Sequence, residues 1–361
     1  MRIWQKIIYE PRGHFMTRVF KYRYADDNVT FERNLALLKE DCFWSSTRKK
    51  LNDPFEGLFR ADKLNNQIEF IYKIYSSKLP STSSSFEEFK NSISNFLDLV
   101  DKLGIFSLSK EPMEELLWAH YGNSHQGFCI EYDLHKLIEF EKNSGQYNCI
   151  NLEYSNAPPH MKLNDFIPHN PKKIEILIQK MLGTKSKSWS YEKEVRITTV
   201  SSGKQPYDFR AVKAIYFGYR MEEAKQLKIM EELAGRGISY HKIEVMKGVY
   251  KLTSKPVDDP YVDAPRYRYS VGKIVTDAIC NTDYLKPELK KYADYLYKAA
   301  EIVRREPYCD QINNVDFSTS KGTLNAPVIY VQYERLPNKF VNHYLTLPEI
   351  DKLFAKIDDI T

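Results

Sequence analysis

The sequence lacks a long apolar run: a membrane-crossing helix needs about 20 consecutive apolar residues, and none of the 361 residues begins such a stretch. Met1 to Phe20 carries no apolar segment of the secretory kind either, so the expectation is a cytoplasmic protein with no membrane contact. Cysteine is sparse and odd in number. Cys42, Cys129, Cys149, Cys280 and Cys309 are widely spaced, with no Cys-x-x-Cys, which argues against a disulfide framework and against a zinc cluster, so no metal ligands are assigned. Walker loop, Gly-x-Gly-x-x-Gly turn, zincin helix and Gly-x-Ser-x-Gly elbow are all missing. Net charge is small as well: an excess of +5 is too slight and too dispersed to mark a nucleic-acid surface by itself.

What the chain has in abundance is aromatic side chains, with 26 Tyr and 19 Phe, beside 42% hydrophobic and 28% charged residues. That composition supplies a substantial core and argues against disorder. The length exceeds the ~150 residues of an average domain, so a large domain and a small one are expected.

Alternation predicts a strand over Thr17 to Tyr24, followed by a helix around Phe31, Leu35 and Leu38 that Asp26, Asp27 or Asn28 can cap. A short strand at Cys42 to Ser45 comes next. Helical spacing runs from Asn65 to Leu103, broken by the serines of Ser81 to Ser85. Strands are expected at Gly104 to Ser109, Gly127 to Tyr132, Tyr147 to Tyr154, Glu194 to Val200, Val212 to Gly218 and Ser239 to Val245, with helices at Met113 to Tyr121, Pro171 to Met181 and Glu222 to Leu233. This order lacks a strict βαβ repeat and reads as an α+β fold. The prolines and aspartates of Ser254 to Arg268 suggest a linker. The expected division is therefore a domain over 1–250, a linker over 251–270 and a small C-terminal α/β region over 271–361, holding a helix at Glu288 to Arg305, a strand at Val328 to Tyr333 and a helix at Leu347 to Ile357.

Four patterns can carry chemistry. Asn52-Asp53-Pro54-Phe55-Glu56-Gly57 is composed of turn formers, and Glu56 is the member expected to face a site. Trp118-Ala119-His120-Tyr121 puts aromatic rings beside a histidine able to bond a ligand or move a proton. Trp189-Ser190-Tyr191-Glu192-Lys193-Glu194-Val195-Arg196 puts Glu192, Glu194 and Arg196 on one face if it is a strand. Two carboxylates and a guanidinium suit a solvated ladder or an acidic site; Trp189 and Tyr191 beside them favour a cleft. Ser107 and Ser109 share a face of the strand Phe106-Ser107-Leu108-Ser109.

On these segments, with the early Tyr-Lys-Tyr-like strand and Gly127-Phe128-Cys129-Ile130-Glu131-Tyr132-Asp133, the chain resembles the bacterial family labelled domain of unknown function 2971, over about Val19 to Val245. A second resemblance is to ADP-ribosyltransferases: a basic residue on the first strand (Arg23 or Lys21), Ser107 with Ser109, and Glu192 with Glu194 follow in chain order as that family's Arg, Ser-x-Ser and Glu-x-Glu do. It implies a mixed, largely antiparallel split sheet with inserted helices and NAD bound in the split as substrate. It further implies transfer of ADP-ribose to a nucleic-acid or protein acceptor, in a toxin or phage-defence setting. With the other patterns above added to those matched residues, Glu194, Glu192 and His120 are the catalytic candidates, and Lys21, Arg23, Ser107, Ser109, Trp118, Tyr121, Tyr191 and Glu56 the ligand-binding set; a protein partner at the C-terminal region is a separate expectation. Two other classes stay open. One is a metal-assisted hydrolase or nuclease gathering Asp53, Glu56, Glu192 and Glu194 around a divalent ion; the other is a non-catalytic module that senses a nucleotide or a protein.

Overall fold

The computed structural model describes residues 18–25, 27–60, 82–139, 147–162, 171–336 and 339–357. The helical reading of residues 65–81 lies outside them. By internal contacts the chain divides into two units, Met1–Asp263 and Ala264–Thr361.

The first unit is built on β1 (Arg18–Arg23), α1 (Asn28–Lys39), β2 (Cys42–Ser45), α2 (Thr82–Lys102), β3 (Gly104–Ser109), α3 (Glu115–His120), β4 (Phe128–Asp133) and α4 (Leu134–Glu139). There follow β5 (Tyr147–Asn151), β6 (Glu153–Ser155), α5 (Pro171–Leu182), β7 (Thr184–Ser186), β8 (Glu194–Thr199) and β9 (Gly203–Pro206). The last elements are β10 (Val212–Phe217), α6 (Glu223–Glu232), β11 (Ser239–Val245) and β12 (Leu252–Val257). Eight strands form one sheet in the order β12-β11-β10-β4-β1-β3-β8-β5. Neighbours run antiparallel except β10 and β11, which α6 joins as a crossover. The fold is thus α+β with a mixed, largely antiparallel sheet.

The sheet is unevenly laced. β1 pairs β4 through six register positions, and β3 pairs β8 through six, but β1 and β3 meet only at Phe20 and Ser109. Both faces are covered. On one, Phe31 and Leu35 of α1 and Ile229 and Met230 of α6 pack on Ile130, Phe106 and Ile197. On the other, Leu117 and Trp118 of α3 pack on Phe20, Tyr22 and Tyr216. Helices α2 and α5 build a further cluster with Ile105 and Ile150 through Phe96, Val100, Leu177 and Met181. Asp27 is the residue that caps α1, its carboxylate accepting from the Thr30 amide at 2.6 Å. Gly104 closes β3 tightly: an added Cβ would stand 2.2 Å from Thr199 Oγ1 and 2.3 Å from Ser45 Oγ.

Three expectations for the first unit change. Leu252–Val257 belongs to the sheet, pairing β11 at six positions, rather than to a linker; as the outermost strand it tolerates Pro256, whose missing N–H costs the ladder nothing on its open side. Tyr147 to Tyr154 is two strands, because β6 leaves the main sheet to pair in parallel with β7. Residues Lys187–Glu192 form a 3₁₀ turn, and Lys193 is left-handed (φ 44°), so Glu192 precedes the strand that Glu194 begins.

The second unit is a four-stranded sheet, β13 (Lys273–Ile274), β14 (Gln311–Gly322), β15 (Pro327–Leu336) and β16 (Lys339–Thr346), in that spatial order. Helices α7 (Pro287–Lys290), α8 (Asp294–Val303) and α9 (Leu347–Phe354) accompany it; Leu296 and Ala300 of α8 and Ile350 of α9 share a core with Ile312, Ile329 and Val331. The expected helix Glu288 to Arg305 is two, interrupted at Lys291 to Ala293. A capping box of Thr346 and Glu349 starts α9.

Candidate active site

Arg196 stands at the centre of β8 with its side chain fully buried. A guanidinium there needs acceptors on every edge. Nε donates to Glu194 Oε1 at 2.7 Å, Nη1 and Nη2 donate to the two oxygens of Glu56 at 2.8 and 2.5 Å, and Nη1 also reaches the Leu182 carbonyl at 2.7 Å. Lys185, from β7, closes the other side: its ammonium lies 2.5 Å from Glu192 Oε2, 2.9 Å from Glu194 Oε2 and 3.7 Å from Glu56 Oε1. Three buried carboxylates therefore face two cations.

The turn Asn52 to Gly57 delivers Glu56. Asp53 accepts the Phe55 amide at 3.0 Å, and the Glu56 amide donates to the Asp53 carbonyl at 3.1 Å, so Asp53 shapes the turn while Glu56 points into the cluster. Gly57 ends it with a φ of 69°, a left-handed conformation that suits glycine.

Burial acts against charge on Glu194, but the Arg196 guanidinium, the Lys185 ammonium and a hydrogen bond from Ser107 reverse it, holding the carboxyl down at about 2. Glu192 moves the other way. Burial pushes its carboxyl above the ordinary range despite Lys185 and despite the Tyr121 hydroxyl, which donates to Oε1 at 2.7 Å. Burial and the Glu192 carboxylate hold that hydroxyl's proton more tightly than usual, and the nearby Asn52 side chain acts in the opposite sense. Two neighbouring carboxyls thus differ in proton affinity, an arrangement suited to dividing charge stabilisation from proton transfer.

Beside the cluster a cleft of about 320 Å³ opens between β1 and β3, where the ladder is thinnest. Glu56, Lys185, Glu192 and Glu194 line its inner part. Register places Ser107 opposite Arg196 and Ser109 opposite Glu194, on one face of the sheet; Lys21 and Arg23 leave β1 from the other face. Lys21 reaches across the gap to the Ser107 carbonyl at 2.8 Å. Its burial, and then the nearness of Arg23, lower the amine to about 7, while Glu194 and Glu192 act in the opposite sense. Arg23 sits over the Phe106 ring at 5.8 Å, and its charged neighbour is Arg33. A row of cations thus leads outward from the carboxylates.

The remaining candidates divide. Tyr121, Ser107 and Ser109 also line the cleft, although the Ser109 hydroxyl is spent on the Glu192 carbonyl at 2.8 Å and so pins the 3₁₀ turn. Trp118 is corrected to a core residue: it is fully buried, edge-on to Tyr22, with its indole N–H donating to the Pro112 carbonyl at 2.8 Å. His120 is exposed at the end of α3, its ring 6.3 Å from that of Tyr191; neither lines the cleft, because α3 and the 3₁₀ turn carry them to its outside. Lys185, Arg33, Lys50 and Trp44 went unread in the sequence. Lys185 lies in a stretch with Lys180 and Lys187 and has no local mark of burial.

Among the described residues no group of three or more His, Cys, Asp or Glu is arranged to hold a metal ion. Nor is any described helix long and apolar enough to cross a membrane. Residues 117–197, which carry the last turn of α3, all of β4 and the Glu192 to Arg196 segment, match the family described as protein of unknown function (DUF2971). No curated protein and no solved structure matches the chain.

Proposed function

We propose that the cleft binds NAD and that the chain is an ADP-ribosyltransferase-like enzyme, passing ADP-ribose to a macromolecular acceptor, nucleic acid or protein. The observation that carries this reading is the polarity of one cleft: cations of β1 at the seam, a pair of carboxylates of unlike proton affinity at its inner end. Lys21 and Arg23 suit a pyrophosphate. Glu194, ionised at neutral pH, would stabilise positive charge growing at C1′ of the nicotinamide ribose. The C1′–N1 bond breaks, nicotinamide leaves as a neutral ring with the bonding pair, and an acceptor oxygen or nitrogen bonds to C1′. The acceptor's proton passes to Glu192.

The metal-assisted reading has less support, since Lys185 and Arg196 already occupy the carboxylate oxygens that an ion would need. One observation favours a binding module over an enzyme, namely that those same cations temper the charge of Glu194. Nicotinamide release decides between the two. Purified protein given NAD, with and without nucleic acid or cell extract, should release nicotinamide, and Glu194→Gln should abolish it while NAD still binds. Saturable NAD binding without any release would identify a sensor instead.

A further inference from the structure

The outermost cations of the cleft are not needed for a pyrophosphate. Arg33 on α1 and Lys50 at the end of the Arg48–Lys50 turn both line the cleft, and both are exposed. Their chain neighbours are engaged elsewhere: Glu32 pairs with Lys228, while Arg48 and Lys49 pair with Asp101. Neither Arg33 nor Lys50 forms an ion pair among the described residues. Trp44 stands in the same wall with 48% of its surface exposed, and Arg33 is close enough to Arg23 for the two charges to repel. Like charges gathered around an open aromatic face suit an anion attached to a planar ring; the Asp27 carboxylate feels the charge of Arg33 but forms no ion pair with it.

We infer that Arg33, Lys50 and Trp44 form a phosphomonoester subsite, so that the ligand carries a phosphate on its adenosine ribose in addition to its pyrophosphate. The inference rests on the nucleotide reading above: with the nicotinamide ribose at Glu194 and the pyrophosphate at Lys21 and Arg23, Trp44 is a cleft-lining ring on which the adenine can stack.

The test is equilibrium titration of the full chain, followed by tryptophan fluorescence, with NAD against NADP for a 2′-phosphate and with 5′-AMP against adenosine 3′,5′-bisphosphate for a 3′-phosphate. In at least one pair the additional phosphate should tighten binding about tenfold, as one well-placed charge-assisted contact does. The Arg33→Ala/Lys50→Ala double variant should bring that ratio close to one; both side chains are exposed, so the fold is kept. Equal affinities within both pairs, or a preference that survives the double variant, overturn the subsite. Measuring nicotinamide release alongside separates the two readings. Preference without release keeps the subsite and removes the transferase, whereas release without preference does the reverse. Failure of all four nucleotides to bind removes both.

Discussion

Arg196 and Glu56, 140 residues apart, are joined by a two-pronged ion pair inside the protein. Removing one partner leaves the other's charge nearly buried without its two-pronged contact, Glu56 keeping only Lys185 at 3.7 Å. Arg196→Met should cost about 3–5 kcal/mol of stability, the usual loss when a buried pair is broken on one side. Glu56→Gln should cost less, because the amide oxygen still accepts. Urea denaturation checks both, and a loss below about 1 kcal/mol for Arg196→Met would show that the cluster is solvated.

Acid stability follows from Glu194. Its carboxyl is lowered on folding to about 2, so it contributes stability above the unfolded value of about 4.5 and loses it as pH falls toward 2. Thermal melts should therefore show a steep fall of Tm through that window. In Glu194→Gln the fall should be shallower; parallel curves for the two proteins would refute the assignment.

Lys21 acts in a higher window. Its amine is lowered to about 7, so between there and the unfolded value of 10.5 the unfolded chain binds more protons, and this residue's contribution to stability rises with pH. Anion binding runs oppositely, since an anion needs the ammonium. Affinity for inorganic pyrophosphate should fall as pH rises through about 7, with proton uptake visible when calorimetry is repeated in buffers of different ionisation enthalpy. Lys21→Met should remove the uptake, and affinity unchanged across neutrality in the unmodified chain would count against Lys21 as the anion's partner.

Asp53 and Glu56 sit in one turn with different duties. Asp53→Ala loses a side-chain bond to the Phe55 amide, worth about 1 kcal/mol, and should leave ligand affinity alone. Glu56→Ala, by contrast, should disturb the cleft, since Arg196 and Lys185 lose a shared acceptor. Melts and NAD titrations run side by side would contradict this division if Asp53→Ala weakened binding while Glu56→Ala did not.

Much of the first unit is legible where one residue pattern dominates. Val212–Phe217, Phe128–Asp133 and Glu194–Thr199 alternate or run apolar, and burial follows. Patterns failed where tertiary context decides. Glu192 belongs to a turn because Lys193 takes a left-handed conformation that no periodicity announces. Trp118 belongs to the expected ligand-binding set although a helical indole also suits a core, and its N–H settles the matter by bonding the Pro112 carbonyl. Leu252–Val257 looked like a linker because Pro256 is a strand breaker everywhere except at an edge. Lys185 is the sharpest case: a lysine between polar residues becomes the hub of three carboxylates only once β7, the Asn52 to Gly57 turn and β8 are brought together.

The single rung between Phe20 and Ser109 has a mechanical side. Parting β4 from β1, or β8 from β3, would unlace a six-position ladder, whereas parting β1 from β3 breaks one position and the bond from Lys21 to Ser107. The seam is where the sheet gives way most cheaply, and the cleft lies along it. Whatever fills that gap serves as mortar, replacing contacts that the two strands do not make with each other. Occupancy and stiffness therefore rise together: by mass action a bound guest protects the fold by a free energy that grows with the logarithm of its concentration over its Kd, and the protein is at its most yielding when the cleft stands open.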